Sequence, residues 1–265
     1  MLRTRLATAA VAIPALWLVV QYLWAPLFNG FILAVVMLAL LEYFAMAMPE
    51  HALDRAFGIA WGTVVAAAVL WRRQEVWGAG LALSGIGGLA FLLLHESDLK
   101  GGVHRLGLTL LGVLYLGFFT PHVVLVRSLP DGWRWLLFTV FVAMGSDSGG
   151  YFTGRAIGRH PLAPAISPSK TREGVVGAVA GAMLVAWLCR MAFLDTVGSR
   201  EALVLGTAIS LLAQLGDLCE SALKRAFGAK DSGWIIPGHG GILDRLDSLL
   251  FPVVFTYYYA AVPRG

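Results

Sequence analysis

Asn29-Gly-Phe-Ile-Leu-Ala-Val-Val-Met-Leu-Ala-Leu-Leu-Glu-Tyr-Phe-Ala-Met-Ala-Met48 runs for 20 residues with Glu42 as its one charge. A stretch of about 20 apolar residues is what a helix needs to cross ~30 Å of hydrocarbon. Similar runs recur along the 265-residue chain, at about 6–25, 56–71, 76–95, 106–126, 134–153, 174–194, 202–219 and 248–262, separated by short polar breaks. The runs at 56–71 and 248–262 are short, and Gly145-Ser-Asp-Ser-Gly-Gly150 interrupts the one at 134–153. Lipid offers no partner to an open sheet edge, so spanning segments must be helical. The expected fold is all-α and polytopic, with about nine transmembrane helices and short loops.

Composition supports this reading. The chain is 58% apolar and 14% charged, with a mean hydropathy of +0.75, whereas soluble domains carry about 25% charged residues. Disorder and an ordinary soluble domain are both excluded by that balance. A net charge of +4, scattered along the chain, gives no basic face for nucleic acid. Cys189 and Cys219 lie in separate apolar runs without metal-ligand spacing, as small core residues do. Arg3 and Arg5 precede the 19-residue apolar run from Leu6 to Trp24, longer than the roughly 7–15 residues of a signal-peptide core, so a retained first span is expected. The chain shows neither internal repeat nor low-complexity linker. It is expected to form one membrane domain over 1–265, with N-terminal spans to about 130 and a motif-bearing half from about 131.

With nine spans, 13 of the 20 basic residues fall on one side and seven on the other. The positive side is cytoplasmic by the loop-charge rule. The N-terminus and the two longest polar connections, about 154–173 and 220–247, then share the cytoplasmic face. Sixteen Arg against four Lys point weakly to a GC-rich bacterial source.

Charge concentrates in residues 217–247, which hold Asp217, Glu220, Lys224, Arg225, Lys230, Asp231, Asp244, Arg245 and Asp247. Charges packed beside an apolar span are expensive and usually functional. Asp217, Glu220, Ser221 and Lys224 are spaced i, i+3, i+4, i+7 on one helix face, and Asp244, Asp247 and Ser248 repeat the first three of those spacings. Carboxylates on two such helix ends could hold a hard divalent cation such as magnesium, whose shell is completed by water and substrate phosphates. Between them, Lys230-Asp-Ser-Gly-Trp-Ile-Ile-Pro-Gly-His-Gly-Gly241 supplies glycines for close backbone approach and N–H groups for anions. Lys224, Arg225, Lys230 and Arg245 add positive charge for phosphate. A solvated loop with ion pairs is the plainer alternative, but it does not require carboxylates at helical spacing on both flanks.

A second polar region comprises Gly145–Gly150 and the loop Ile166-Ser-Pro-Ser-Lys-Thr-Arg-Glu-Gly174. Asp147, inside an apolar run, is either a nucleotide or metal contact or one half of a structural pair with an arginine. Ser167, Lys170 and Thr171 could bind phosphate, while Ser169 or Thr171 could instead cap the next helix. Glu42 and His122 are read as making interhelical hydrogen bonds. Tyr257, Tyr258 and Tyr259, with Trp17, Trp24, Trp133 and Trp135, are read as an interfacial belt rather than a base-stacking box. Asp195 and Arg190 are expected to snorkel to an interface.

The 27 residues from Ser221 to Asp247, Ser221-Ala-Leu-Lys-Arg…Lys230-Asp…Pro237-Gly-His-Gly-Gly…Asp244-Arg-Leu-Asp247, resemble the signature of the phosphatidate cytidylyltransferases, also called CDP-diacylglycerol synthases. Every fixed position of that signature is matched, and Gln214–Ser221 and Ser167–Gly174 are also similar to the family. The resemblance implies transfer of CMP from CTP to phosphatidate, with pyrophosphate released. It implies Asp217 and Asp244 as metal ligands supported by Asp247. Lys224, Arg225, Lys230 and Arg245 would serve the phosphates, with Ser167, Lys170 and Thr171 as a second clamp. Asp147, Ser221, Gly240 and Gly241 complete the expected substrate contacts, and Asp231 belongs to the catalytic run. His239 either binds phosphate or fixes the glycine turn. One or two divalent ions, and a monovalent companion, are compatible with the sequence. The family also implies a homodimer in the bacterial inner membrane. Two other functions use comparable parts: a CTP-dependent lipid-alcohol kinase, which should lack the full signature, and a transporter, which usually shows repeats and midplane breaks.

Overall fold

The computed structural model describes residues 17–71, 74–95, 98–233 and 241–262. After a helical stretch at 17–22, helix α1 spans Ala25–Ala47, with a proline in its first turn where no N–H partner is needed. Its buried stripe, Phe28, Ile32, Val36, Leu40 and Tyr43, has helical spacing. Leu27, Phe31 and Leu41 on the other side are exposed. A helix apolar all round, buried on one face only, is suited to lipid on the other.

Helix α2 covers Ala52–Leu70, α3 Gln74–His95 and α4 Leu99–Gly112. One π-helical turn, Val113–Phe118, follows α4, and Pro121 then precedes α5, His122–Arg127. Helix α6 spans Gly132–Ile157, α7 Arg172–Ala192 and α8 Ser199–Ala226; the short α9, Leu243–Leu246, and α10, Leu250–Ala261, close the described chain. Strands β1, Pro161–Ala163, and β2, Ser167–Thr171, form an antiparallel hairpin between α6 and α7. The fold is therefore helical with one small hairpin where a loop was expected.

Among the described residues, five stretches are long and apolar enough to cross a membrane: α1, α2, Leu99–Arg127, α7 and α8. The expected count of nine is not established. The first apolar run lies largely outside the described residues, the apolar parts of α3 and α10 are shorter, and α6 is long but more polar.

The expected interruption at Gly145–Gly150 does not occur, because α6 passes through it unbroken. Gly145 and Gly149 face Gly177 and Gly181 of α7 so closely that a Cβ at Gly149 would lie 2.3 Å from the Gly177 carbonyl oxygen. A Cβ at Gly181 would lie 2.5 Å from that of Gly145. Small residues four apart on both partners let two backbones approach, which replaces hydrophobic driving force in lipid. Ser146 and Ser210 share a buried 2.7 Å hydrogen bond between α6 and α8, and Thr139 meets Thr256 of α10 at 2.8 Å.

Two apolar clusters organise the interior. One joins α6, α7, α8 and α10 through Phe138, Val142, Ala182, Ala186, Ile209 and Val253. The other joins α1, α2 and the π turn to the chain after the glycine-rich stretch, through Leu40, Phe44, Ala66, Leu116, Leu243 and Leu250. Trp135, expected at an interface, is instead buried in the first cluster. Tyr259 is anchored by a hydrogen bond to Glu201, Arg190 by a 3.0 Å bond to the Val197 carbonyl, and Asp195 lies 3.8 Å from Arg134.

Candidate active site

The C-terminal parts of α1, α6 and α8 meet the hairpin and α9 at one end of the bundle, bringing the two polar connections together as expected. Local sequence sets each piece. Thr171 ends β2 and caps α7, its hydroxyl accepting the Gly174 N–H at 3.1 Å. Of the two capping candidates, Thr171 rather than Ser169 performs that task. Glu173 ties the hairpin base, accepting the Arg159 N–H at 3.1 Å and facing His160 Nδ1 at 2.5 Å. Gly216 lets the chain at Asp247 lie against α8, since a Cβ there would come 2.3 Å from the Asp247 carbonyl oxygen.

The charged residues fall into two neighbouring groups. In the first, Lys170 of β2 pairs with Asp217 of α8 at 2.6 Å, and Ser221 donates to the other Asp217 oxygen at 3.4 Å. Asp147, Lys170, Thr171 and Asp217 line a cleft of about 510 Å³, with Ser169, Arg155 and Gln214 also on its walls. Ser167 does not line it; Ser169 does. Asp147 finds Lys170 and Asp217 as its charged neighbours, rather than a structural arginine. The carboxyl of Asp247 is pushed up to about 6, first by burial, then by the charges of Asp217 and Asp147, against a 2.6 Å hydrogen bond from the Ser248 N–H.

In the second group, Lys224 lies between Asp244, at 2.6 Å, and the fully buried Glu220, at 2.7 Å. The other Asp244 oxygen accepts from Ser232 N at 3.1 Å, Ser232 Oγ at 2.8 Å and Gly241 N at 2.9 Å. Burial alone would raise the Asp244 carboxyl, but Lys224 and these donors outweigh it and hold the group well below the usual carboxylate range. Glu42 of α1 reaches the same network, accepting the Leu243 N–H at 3.0 Å.

The carboxylates of Asp217 and Asp244 thus engage different lysines. Asp217 has Asp147 and Asp247 as its acidic companions. Among the described residues, no three His, Cys, Asp or Glu side chains are arranged as a ready metal-binding group. The donor chemistry nevertheless suits a hard cation: Asp147, Asp217 and Asp247 influence one another electrostatically, and Lys170 is the cation paired there. Arg225, Lys230, Asp231 and Arg245 are exposed at the same end. Arg225 donates to the Ala229 carbonyl at 3.2 Å, closing the helix end. His239 and Gly240 lie outside the described residues.

Three contributors were not among the sequence candidates. Glu220 lay on the noted helix face, three residues after Asp217, and its complete burial is visible only in the structure. Glu42 was visible as a lone carboxyl in an apolar run and read as an interhelical contact; it does join two helices, accepting the first N–H of α9, and this places it beside the charged network. Tyr115, on the π turn, carries a buried hydroxyl without a hydrogen-bond partner among the described residues and lies near the charges of Glu220 and Asp247. No sequence signal marked it.

This arrangement supplies carboxylates for a divalent ion beside lysines for anionic oxygens, facing an open cleft. Such a site suits chemistry on a polyphosphate, where positioning and charge neutralisation carry the catalysis. Comparison with known proteins narrows the class. The sequence model of the Cytidylyltransferase family matches residues 3–262. The phosphatidate cytidylyltransferase of Brucella suis biovar 1 (strain 1330) is 35% identical over 268 residues, covering 98% of this chain and 94% of the relative. Those of Bacillus subtilis (strain 168) and Staphylococcus saprophyticus are 39% and 38% identical, over 60% and 66% of this chain and 59% and 68% of those relatives.

Proposed function

The chain belongs to the cytidylyltransferase family, and we propose on that premise that it catalyses the reaction of its phosphatidate cytidylyltransferase relatives. A phosphate oxygen of phosphatidate attacks the α-phosphorus of CTP, the bond from that phosphorus to the bridging oxygen breaks, and pyrophosphate leaves with CDP-diacylglycerol formed. It is a membrane-embedded nucleotidyltransferase of phospholipid biosynthesis. The observation that carries the reading is the match along nearly the whole chain, including the residues that form the two charged groups.

The nucleophile is a phosphate monoester, already anionic near neutral pH, so no strong base is needed. The barrier lies in bringing one anion to another. Lys170 and Lys224 would exchange carboxylate partners for triphosphate oxygens, with Arg225, Lys230 and Arg245 at the rim of the same end. Asp217 and Asp247, with Asp147 close by, would hold magnesium, and Asp244 would join them once Lys224 leaves it for a phosphate oxygen. When bound, that ion neutralises phosphate charge and polarises the reacting phosphoryl group. The cleft beside Asp147 and Lys170 is open enough to admit the nucleotide, while the lipid arrives laterally. Supply of cytosolic CTP fits a cytoplasmic placement of this end and of the N-terminus, in a bacterial inner membrane, and a homodimer belongs to the same reading.

The test is purified protein in mixed micelles with phosphatidate and magnesium, given CTP labelled at the α or γ position. Label enters the lipid from the α position alone, with pyrophosphate released. Transfer of the γ label to an added lipid alcohol would make the protein a kinase, and no transfer from folded protein would return the transporter reading.

A further inference from the structure

Glu42 lies near the C-terminal end of α1, in the N-terminal half, and is 4% exposed. An ionisable group inside an apolar span is expensive and calls for a defined partner. Its partners belong to the distant motif region. Oε2 accepts the Leu243 N–H at 3.0 Å and lies 3.4 Å from Ser232 Oγ, while Oε1 has no hydrogen-bond partner among the described residues. The one Ser232 hydroxyl proton serves Asp244 better, at 2.8 Å, and Ser232 Oγ in turn accepts the Asp244 N–H at 3.3 Å. The fit is close on both flanks. A Cβ at Gly233 would sit 2.5 Å from Glu42 Oε1, and one at Gly241 would sit 2.5 Å from Oε2.

We propose that Glu42 is a positioning residue for the nucleotide-transfer site: from the N-terminal half it fixes the start of α9 by accepting the Leu243 N–H and packs closely against Ser232 and Gly233, and through them it sets the orientation of Asp244. The inference rests on the cytidylyl-transfer reading. It gives the N-terminal helices a part in catalysis that no motif in them announces. Asp244 has one oxygen on Lys224 and the other on three donors from Ser232 and Gly241, so a shift of Ser232 or of the α9 start turns the whole carboxyl group.

The experiment compares wild type with Glu42→Gln, Glu42→Ala, Ser232→Ala and the Glu42→Ala/Ser232→Ala double variant in detergent. Thermal unfolding, the rise in melting temperature on adding CTP with magnesium, and the magnesium dependence of α-label transfer are measured. Glutamine keeps the acceptor for the Leu243 N–H and should behave as wild type within about threefold. Alanine should unfold near wild type yet lose about 10- to 100-fold in kcat/KM, the range for outer partners of metal-ligating groups. Its magnesium requirement should rise and its CTP-induced stabilisation should shrink. Adding Ser232→Ala should then cost little more, since both act through Asp244.

A folded Glu42→Ala protein with wild-type magnesium dependence and CTP stabilisation overturns the proposal, as do losses that merely track melting temperature or add independently to those of Ser232→Ala. Should Glu42→Ala fail to fold, Gly233→Ala presses on the same carboxyl without deleting it. The same shifts are then expected, and wild-type behaviour overturns the proposal. If wild type itself transfers no α label, the reaction reading fails; the CTP-induced stabilisation still tests Glu42.

Discussion

Lys170 and Lys224 each bind a site carboxylate at 2.6 Å, yet they answer to different physics. The side chains of Lys170 and Asp217 are 24% and 32% exposed, whereas those of Lys224 and Glu220 are 14% and 0% exposed. The Lys170 Nζ is covered, but Asp217 is the more exposed partner and can keep water when the lysine is lost, so that pair contributes little; removing the cation from the buried Lys224–Glu220 pair costs about 3–5 kcal/mol, because the remaining charge stays desolvated. Lys170→Met should therefore leave detergent unfolding almost unchanged while activity falls by orders of magnitude. Lys224→Met should lower both, and Lys224→Met with Glu220→Gln should recover stability without activity. Equal stability losses in the two single variants would contradict this assignment. Asp247 sets a pH dependence. Its folded carboxyl ionises near 6, above the ordinary Asp value, so the fold favours its protonated form. If Asp247 helps to hold magnesium as proposed, the ion has to displace that proton, so apparent magnesium affinity should weaken as pH falls through about 6 and level off above it. Titration of magnesium-induced stabilisation from pH 5 to 8 measures this, and a flat profile would remove Asp247 from the metal group.

The pair α6 and α7 shows how an element can look interrupted in sequence and be continuous in space. Gly145-Ser-Asp-Ser-Gly-Gly150 has the composition of a break, since glycine and serine are poor helix formers in isolation. In the bundle those glycines are the contact surface, and the loss of helix propensity is offset by backbone approach to Gly177 and Gly181. The same approach carries Asp147 on α6 to the cleft beside Lys170. Gly149→Ala should thus separate the helices, destabilising by about 1–3 kcal/mol as overpacking does, and should lower activity as well. Gly30→Ala, where nothing lies within 4 Å of the added methyl, is the control and should be neutral. Thermal unfolding of both variants distinguishes helix packing from helix propensity as the role of Gly149.

At the scale of the whole molecule, the two polar connections and the end of α1 converge, so on the proposed function the chemistry would gather at one face of the membrane. Cysteines placed at the exposed positions Ala165 and Ala226, in a background with Cys189 and Cys219 replaced by alanine, should both be labelled from the cytoplasmic side. A cysteine at exposed Thr196, in the turn between α7 and α8, should be labelled from the opposite side. Labelling of positions 165 and 226 from opposite faces would refute the common end. The N-terminal helices share this architecture through a core that joins Leu40 and Phe44 to Leu243 and Leu250. The placement of α9 therefore rests on packing against the first half, although the two segments stand some 200 residues apart.

Sequence alone is enough to read the chain as a helical membrane protein, because apolar runs of spanning length are a local property of composition. It also pointed to the reaction family, because the contiguous run from Ser221 to Asp247 resembles the signature of the phosphatidate cytidylyltransferases. It picked out the lysines and carboxylates of the candidate site without showing which faced which. Only the tertiary structure decided that Asp217 takes Lys170 while Asp244 takes Lys224, that Thr171 caps a helix, that a hairpin carries Lys170, and that Glu42 belongs to the site at all. The reason is physical. Periodicity along one helix reports which side chains share a face, but an ion pair or a backbone hydrogen bond between segments depends on how helices pack, and that packing is set by glycines and small residues whose partners lie far away in the chain.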